Sequence, residues 1–235
     1  MADQYYDDIP AVGNEISADI PKIESTLGFL KDALENFVNA WSNTDATGIY
    51  VKTMADADAD TGIQVEESAD EDIIRFDTAG TERVNITAAG IVNATYQSTA
   101  RAYQTSAQTI TTGTLTKITL DTENWDVQGE FDSTTNSRFT ATEPGYYQIN
   151  AGVGINNLDD GKFFSCSIYK NGITHAESRA ASPAANIDLR TTVSDVVYMD
   201  GSTDYVEIWV SHDNGTSLTL LATTHSTFMS VHKLS

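Results

Sequence analysis

Residues 137–155 read SRFTATEPGYYQINAGVGI. In the second half of this run Tyr147, Ile149, Ala151, Val153 and Ile155 fall on alternate positions. That is the side-chain period of a β-strand, so the five share one face. Similar runs extend outward on both sides: LTKITL before it, then FFSCSIYKNGI, LRTTVSDVVYM, DYVEIWVSH, LTLLATT and STFMSVHKL. Turn signals separate them at GEFDSTTN, NLDDGK, KNG, DGSTD and HDNGT. Val206, Ile208 and Val210 repeat the one-face pattern. Many short strands with no helical period predict a β-sandwich or jelly roll over residues 109–235. Tyr146, Tyr205 and Trp209 fall on the opposite faces of their strands. Large aromatics on outer faces point to a second buried surface, an interface between subunits.

The first half of the chain is built differently. Residues 1–18 are polar and read as an anchor or tail, and 19–47 read as a helix capped by Asp19 with Pro21 in its first turn. Ile20, Ile23, Leu27, Leu30, Leu34, Phe37 and Trp41 are spaced alternately three and four apart. This is a coiled-coil seam, and a helix this short needs partners to be stable. Residues 48–93 hold the short β runs GIYVKT, GIQVEE, DIIRFDT and ERVNITAAGIV. Their apolar residues are too few for a single-chain core, so an intertwined trimeric shaft is expected. Residues 94–108 lack a clear period and read as a neck.

Charge and composition exclude several classes. Asp and Glu outnumber Lys and Arg by 34 to 13 over 235 residues, a formal charge of −21. Phosphate backbones and anionic lipid would be repelled, so neither nucleic acid nor membrane is an expected partner. Cys166 is the one cysteine, so no intrachain disulfide forms. No run approaches the 18 apolar residues of a membrane span. The polar, acidic start MADQYYDDIP does not resemble a signal peptide, and assembly in a cytoplasm is the expectation.

TLTKITLDTENWDVQGEFDSTTNSRFTATEPGYYQINAGVGI resembles the first half of a complement-1q globular head, a relative of tumour-necrosis-factor-like jelly rolls. Phe139, Gly145 and Tyr147 with Pro144 carry the likeness, and SIYKNG and STFMSVHKL fit it. Ile149 and Ala151 stand where that family's aromatics usually follow. The resemblance implies a trimer with strands stacked about a three-fold axis. TGIQVEESADEDIIRFDTAGTERVNITAAGIV resembles segments of phage fibre shafts, and IPKIESTLGFLKDALENFVNAW resembles regions that dock such fibres to a virion.

Motifs for chemistry are sparse. Asp56, Asp58, Asp60 and Glu67 sit at calcium-loop positions 1, 3, 5 and 12, but Gly62 is one position late, and a solvated acidic turn is the plainer reading. In the head, Asp159 with Asp160 and Asp200 with Asp204 are weak calcium candidates; no other cofactor is expected. His175, His212, His225 and His232 share no zinc-ligand spacing, and no nucleophile elbow, Cys-x-x-Cys pair or P-loop is present. Cys166 alternates with Phe164 and Ile168 and reads as a small core residue. Asn85, Asn93 and Asn214 begin glycosylation sequons, which carry meaning only after secretion. The chain is expected to have no enzymatic activity.

These readings converge on a homotrimeric phage fibre or spike, held to capsid or tail proteins by its N-terminal region. Its head would meet a glycan or protein of the host surface. A secreted or surface-displayed complement-1q-like lectin or adhesin is the alternative. Recognition is expected in the head loops farthest from the N-terminus, drawn from Asn157, Leu158, Asp159 and Asp160, the loop around Arg179–Ile187, and His212, Asp213 and Asn214.

Overall fold

A computed structural model describes residues 25–34, 53–65, 68 and 70–235. The chain divides into two compact units, Met1–Thr95 and Tyr96–Ser235. The boundary corrects the expected neck at 94–108, because Thr99–Tyr103 is a strand of the head. Ala100 and Ala102 are its buried residues, and alanine gives only a weak apolar signal in a sequence.

In the first unit, helix α1 covers 25–34. Leu27, Leu30 and Leu34 lie on it and are all exposed, as is Phe29. The other seam positions, Ile20, Ile23, Phe37 and Trp41, lie outside the described residues. Five short strands follow: β1 (Thr53–Ala55), β2 (Gly62–Gln64), β3 (Ile74–Thr78), β4 (Thr81–Ile86) and β5 (Val92–Asn93). They pair antiparallel in chain order as a meander.

The second unit holds β6 (Thr99–Tyr103), β7 (Thr109–Ile110), β8 (Thr116–Lys117), β9 (Thr122–Asp126), β10 (Phe131–Asp132), β11 (Arg138–Thr140) and β12 (Pro144–Leu158). Then come β13 (Phe163–Lys170), β14 (Ile173–Ala181), β15 (Ile187–Asp200), β16 (Tyr205–His212), β17 (Leu218–Thr219) and β18 (Phe228–Lys233). One sheet runs β15-β12-β18-β6-β9, and the facing sheet runs β10-β11-β16-β13-β14 with β8 on β16. The chain crosses between the sheets from β12 to β13, back from β14 to β15, and across again to β16. These antiparallel crossovers make the head the jelly roll that the resemblance implied. β17 and β7 form a small separate pair, so the β run expected at LTLLATT is a strand only at Leu218–Thr219.

The core is the predicted one. Tyr147, Ile149, Ala151, Val153 and Ile155 of β12 are buried, and Val206, Ile208 and Val210 of β16 face them from the other sheet. Phe139 and Tyr147 pack with ring centroids 5.6 Å apart. Tyr147 donates its hydroxyl to the carbonyl of Glu143 at 2.8 Å, and burial, then the Glu130 charge, pushes its phenol up to about 12. Glu130 is itself buried; it accepts from Ser98 and from the N–H and hydroxyl of Thr142. Burial likewise pushes the Cys166 thiol up to about 12, in keeping with a core residue.

Glycine is required at Gly145 and in the β13–β14 turn, among other places. At Gly145 (φ +154°) a Cβ would meet the backbone oxygen of Ser235 at 2.0 Å, which accounts for the glycine two residues before Tyr147. Between β13 and β14, Asn171 and Gly172 both have positive φ (51° and 77°), as a tight two-residue hairpin turn needs.

Candidate functional site

The long strand β12 fixes the two ends of the head. At its start Pro144 pairs with Asp200 and Tyr147 with Lys233. The chain enters at this end: the Tyr96 carbonyl accepts from Gln128, and Gln97 donates to the Lys233 carbonyl. At the other end of β12, Leu158 pairs with Ile187, and nearby Phe164 pairs with His212. The three loops singled out from sequence therefore gather at the end opposite the chain's entry.

A web of backbone-directed hydrogen bonds welds them. Asn214 Oδ1 accepts from the N–H of Asp159 at 2.8 Å, and Asp213 Oδ1 accepts from the N–H of Phe163 at 2.8 Å. Gly161 N donates to the Ser182 carbonyl, and Ser182 N donates to that of Lys162. The Ser182 hydroxyl donates to the Ala184 carbonyl at 2.6 Å. His212 is buried, with Nε2 3.0 Å from the Ile110 carbonyl and Nδ1 accepting from the N–H of Asn214. Gly215 N donates to Thr112 Oγ1. A fourth segment, 110–114, thus joins the cluster. Sequence reasoning missed it, although Gly113 within TITTGTL was a usable turn signal.

Burial divides the candidates into scaffold and surface. Leu158, His212 and Asn214 are buried, so they hold the loops and do not meet a ligand. Asp213 is half-buried and occupied by Phe163 N. Asn157 and Asp160 are exposed, and Asp159 is half-exposed. The open surface is completed by 183–186 and 215–217, which the loop readings only bracketed. We expect Asn214→Ala to strand the Asp159 N–H and cost about 1–3 kcal/mol. Hydrogen exchange should quicken in 159–162 and stay unchanged in the rest of β12, 144–156.

The calcium candidates fare differently. Asp200 and Asp204 sit at the entry end. Asp204 is ion-paired with Lys170 at 2.7 Å and accepts from Asn171 at 2.6 Å, which together hold its carboxyl below the usual range. Asp200 accepts from the backbone N–H groups of Asp204, Ser202 and Thr203, each at 2.9 Å, and these hold it lower still. Both carboxylates already have partners within the chain. Among the described residues, the group of three carboxylates close enough to share a cation is Asp56, Asp58 and Asp60, all exposed in the first unit. Asp159 and Asp160 join no such group.

The lowered carboxylates predict acid sensitivity with a definite sign. A carboxyl held below its unfolded value stabilises the fold above that value, and the contribution fades as pH falls through the folded one. Asp132 is lowered to about 2 from 3.8 by the Thr135 N–H and its neighbours, and the window for Asp200 reaches lower still. Taking the chain from about pH 5 to about pH 2 should lower its thermal midpoint, and the fall should be smaller in Asp200→Asn. Equal falls would show that the 200–204 turn plays no part.

The outer faces hold the remaining candidates. Tyr146 lies on the outer face of the β15-β12-β18-β6-β9 sheet, edge-on to Tyr198 with centroids 5.4 Å apart. Both are about half exposed, and Val196 and Trp125 are exposed on the same face. Tyr205 and Trp209 lie on the outer face of the other sheet, under Arg138 and against Tyr169 respectively. The three predicted interface aromatics therefore do not form one patch.

The head is similar to the structure of Eiger TNF from S. frugiperda, with a TM-score of 0.47 and 11% identity over 59% of this chain and 93% of that one. It is also similar to murine APRIL at pH 5.0, with a TM-score of 0.46 and 13% identity over 59% and 99% of the two chains. No protein-family model and no curated protein matches the chain.

Proposed function

We propose that the chain is a non-enzymatic binding module, a homotrimeric fibre or spike of a phage virion whose head presents its distal loops to a host surface. The observation that carries the reading is the welded loop cluster at the end of the head opposite the chain's entry. A rigid scaffold with exposed polar loops at its free end is the usual form of a recognition surface. Its exposed groups, Asn157, Asp160, Asn186 and Ser217 among them, are polar and suit sugar hydroxyls or a polar protein surface. The exposed Tyr146, Tyr198, Val196 and Trp125 support trimerisation through the β15-β12-β18-β6-β9 face. The order of anchor, heptad seam, shaft and head supports a viral particle, with the N-terminal region on capsid or tail.

The test replaces only exposed loop residues: Asn157→Gly, Asp160→Ala, Asn186→Gly and Ser217→Ala together. Glycine is used at 157 and 186 because both asparagines have positive φ. Virions carrying this set should assemble normally and adsorb to the host at least tenfold more slowly. Normal adsorption would remove the recognition role and leave the head a structural cap. Recovery of the chain from culture medium, and its absence from purified virions by mass spectrometry, would overturn the viral assignment in favour of a secreted module.

A further inference from the structure

The meander β1–β5 is an inside-out sheet. Its register sets Met54, Ile63, Phe76 and Val84 side by side across four strands, with Ile74, Ile86 and Val92 in the next row of the same face. The alternate positions Gln64, Arg75, Asn85 and Asn93 line the other face. There they are joined by polar contacts: Gln64 to Asp77 at 3.0 Å, Arg75 to Glu71 at 2.6 Å and to Glu82 at 2.9 Å, Asn85 to Glu82 at 2.6 Å, and Asn93 to Asn85 at 2.9 Å. In β2 and β3 burial runs opposite to chemistry. Ile63, Ile74 and Phe76 remain 36–38% exposed, while Gln64, Arg75 and Asp77 between them are the more covered. Among the described residues of 53–95 none is buried.

A sheet of this size without one buried side chain has no core of its own, and units this small need an added source of burial. We infer that the apolar face of β1–β5 is covered by the same face of further copies of this chain, so that the shaft's core exists only between subunits. Three features select a second copy as the occupant. The two rows across the face, from Met54 to Val84 and from Ile74 to Val92, carry no charge, as in obligate interfaces that resemble a core cut in half. A sheet that lacks a core until it associates needs its partner while it folds, and a copy of the same chain is present then in fixed ratio. Helix α1 of the same unit also leaves Leu27, Leu30 and Leu34 open, so both elements share one unmet need. The inference rests on the reading of the chain as an assembled fibre, and it assigns the shaft its own interface, independent of the head's.

Neighbouring positions on opposite faces allow a direct test in the full chain. Ile63→Cys and Gln64→Cys are each treated with a short bis-maleimide and read on a denaturing gel, with sedimentation of the same samples in parallel. Cys166 is fully buried and contributes little background. Ile63→Cys should give cross-linked chains at least tenfold more abundant than Gln64→Cys. Equal cross-linking at both positions, or none at Ile63→Cys in a sample that sediments as a trimer, would overturn the shaft interface while leaving the head assembly standing. Sedimentation as a monomer would overturn the assembled fibre itself. As a second measurement, Phe76→Asp should speed amide exchange in 62–86 at least tenfold and leave β12 and β16 protected. Unchanged exchange in 62–86 would also contradict the inference.

Discussion

Phe139→Ala is expected to destabilise the head by about 3–5 kcal/mol, the range for emptying a buried aromatic site. Phe139 is fully buried on the short strand β11, and its ring packs on Tyr147 between the sheets near the entry end. β11 reaches β16 through only two paired positions, Phe139 with Val206 and Thr140 with Tyr205. The strand therefore has little backbone pairing to hold it once the ring is gone, and the site cannot collapse without drawing β11 inward. A denaturant titration at fixed protein concentration checks this, because association would otherwise shift the midpoint. A loss below about 1 kcal/mol would mean that Phe139 does not anchor the strand.

The second large effect concerns assembly. Tyr146→Asp with Tyr198→Asp should convert an associated head into monomers. The two rings meet edge-on near the entry end of the β15-β12-β18-β6-β9 face and are each about half exposed. If this face is the proposed interface, two unpaired carboxylates there would have to be desolvated, and three copies would bring six together. Their exposure in the single chain means that monomer stability should hardly change. The matched control is Tyr205→Asp on the opposite sheet, which should leave association intact. Dissociation by the control alone would move the interface to the other face.

The head was legible in the sequence because its strands alternate strongly. Tyr147 to Ile155 on β12 and Val206 to Val210 on β16 show a two-residue period that only a half-buried strand explains. What alternation could not tell was which sheet an outer residue belongs to. Tyr146, Tyr205 and Trp209 were all rightly read as outward, yet they sit on opposite faces of the sandwich. β6 was missed because Ala100 and Ala102 mark its inner face too faintly. The short strands β9 and β10 were missed too; residues 122–126 fall in none of the β runs and GEFDSTTN reads as a turn, and pairing with β6 and β11 makes them strands.

The candidate site was legible as loops and not as residues. Asn, Asp and His are turn residues by composition, but their side chains serve two ends. In His212 and Asn214 they turn inward to satisfy backbone groups of neighbouring loops, whereas Asn157 and Asp160 stay open. No local pattern distinguishes these outcomes, since each depends on a partner some 55 to 100 residues away in the chain. The acidic pairs illustrate the same limit. Asp200 and Asp204 read as weak calcium candidates from their place in a head loop, and the sequence did not show their partners, Lys170 and the turn's own N–H groups.

The measurement that bears most directly on the account is sedimentation equilibrium of the full chain at micromolar concentration. The account predicts one species of about three times the 25.5 kDa chain mass, unchanged on tenfold dilution. A stable species of single-chain mass would contradict it, because the half-exposed tyrosine pair of the head and the open apolar face of the first unit would then have no partner.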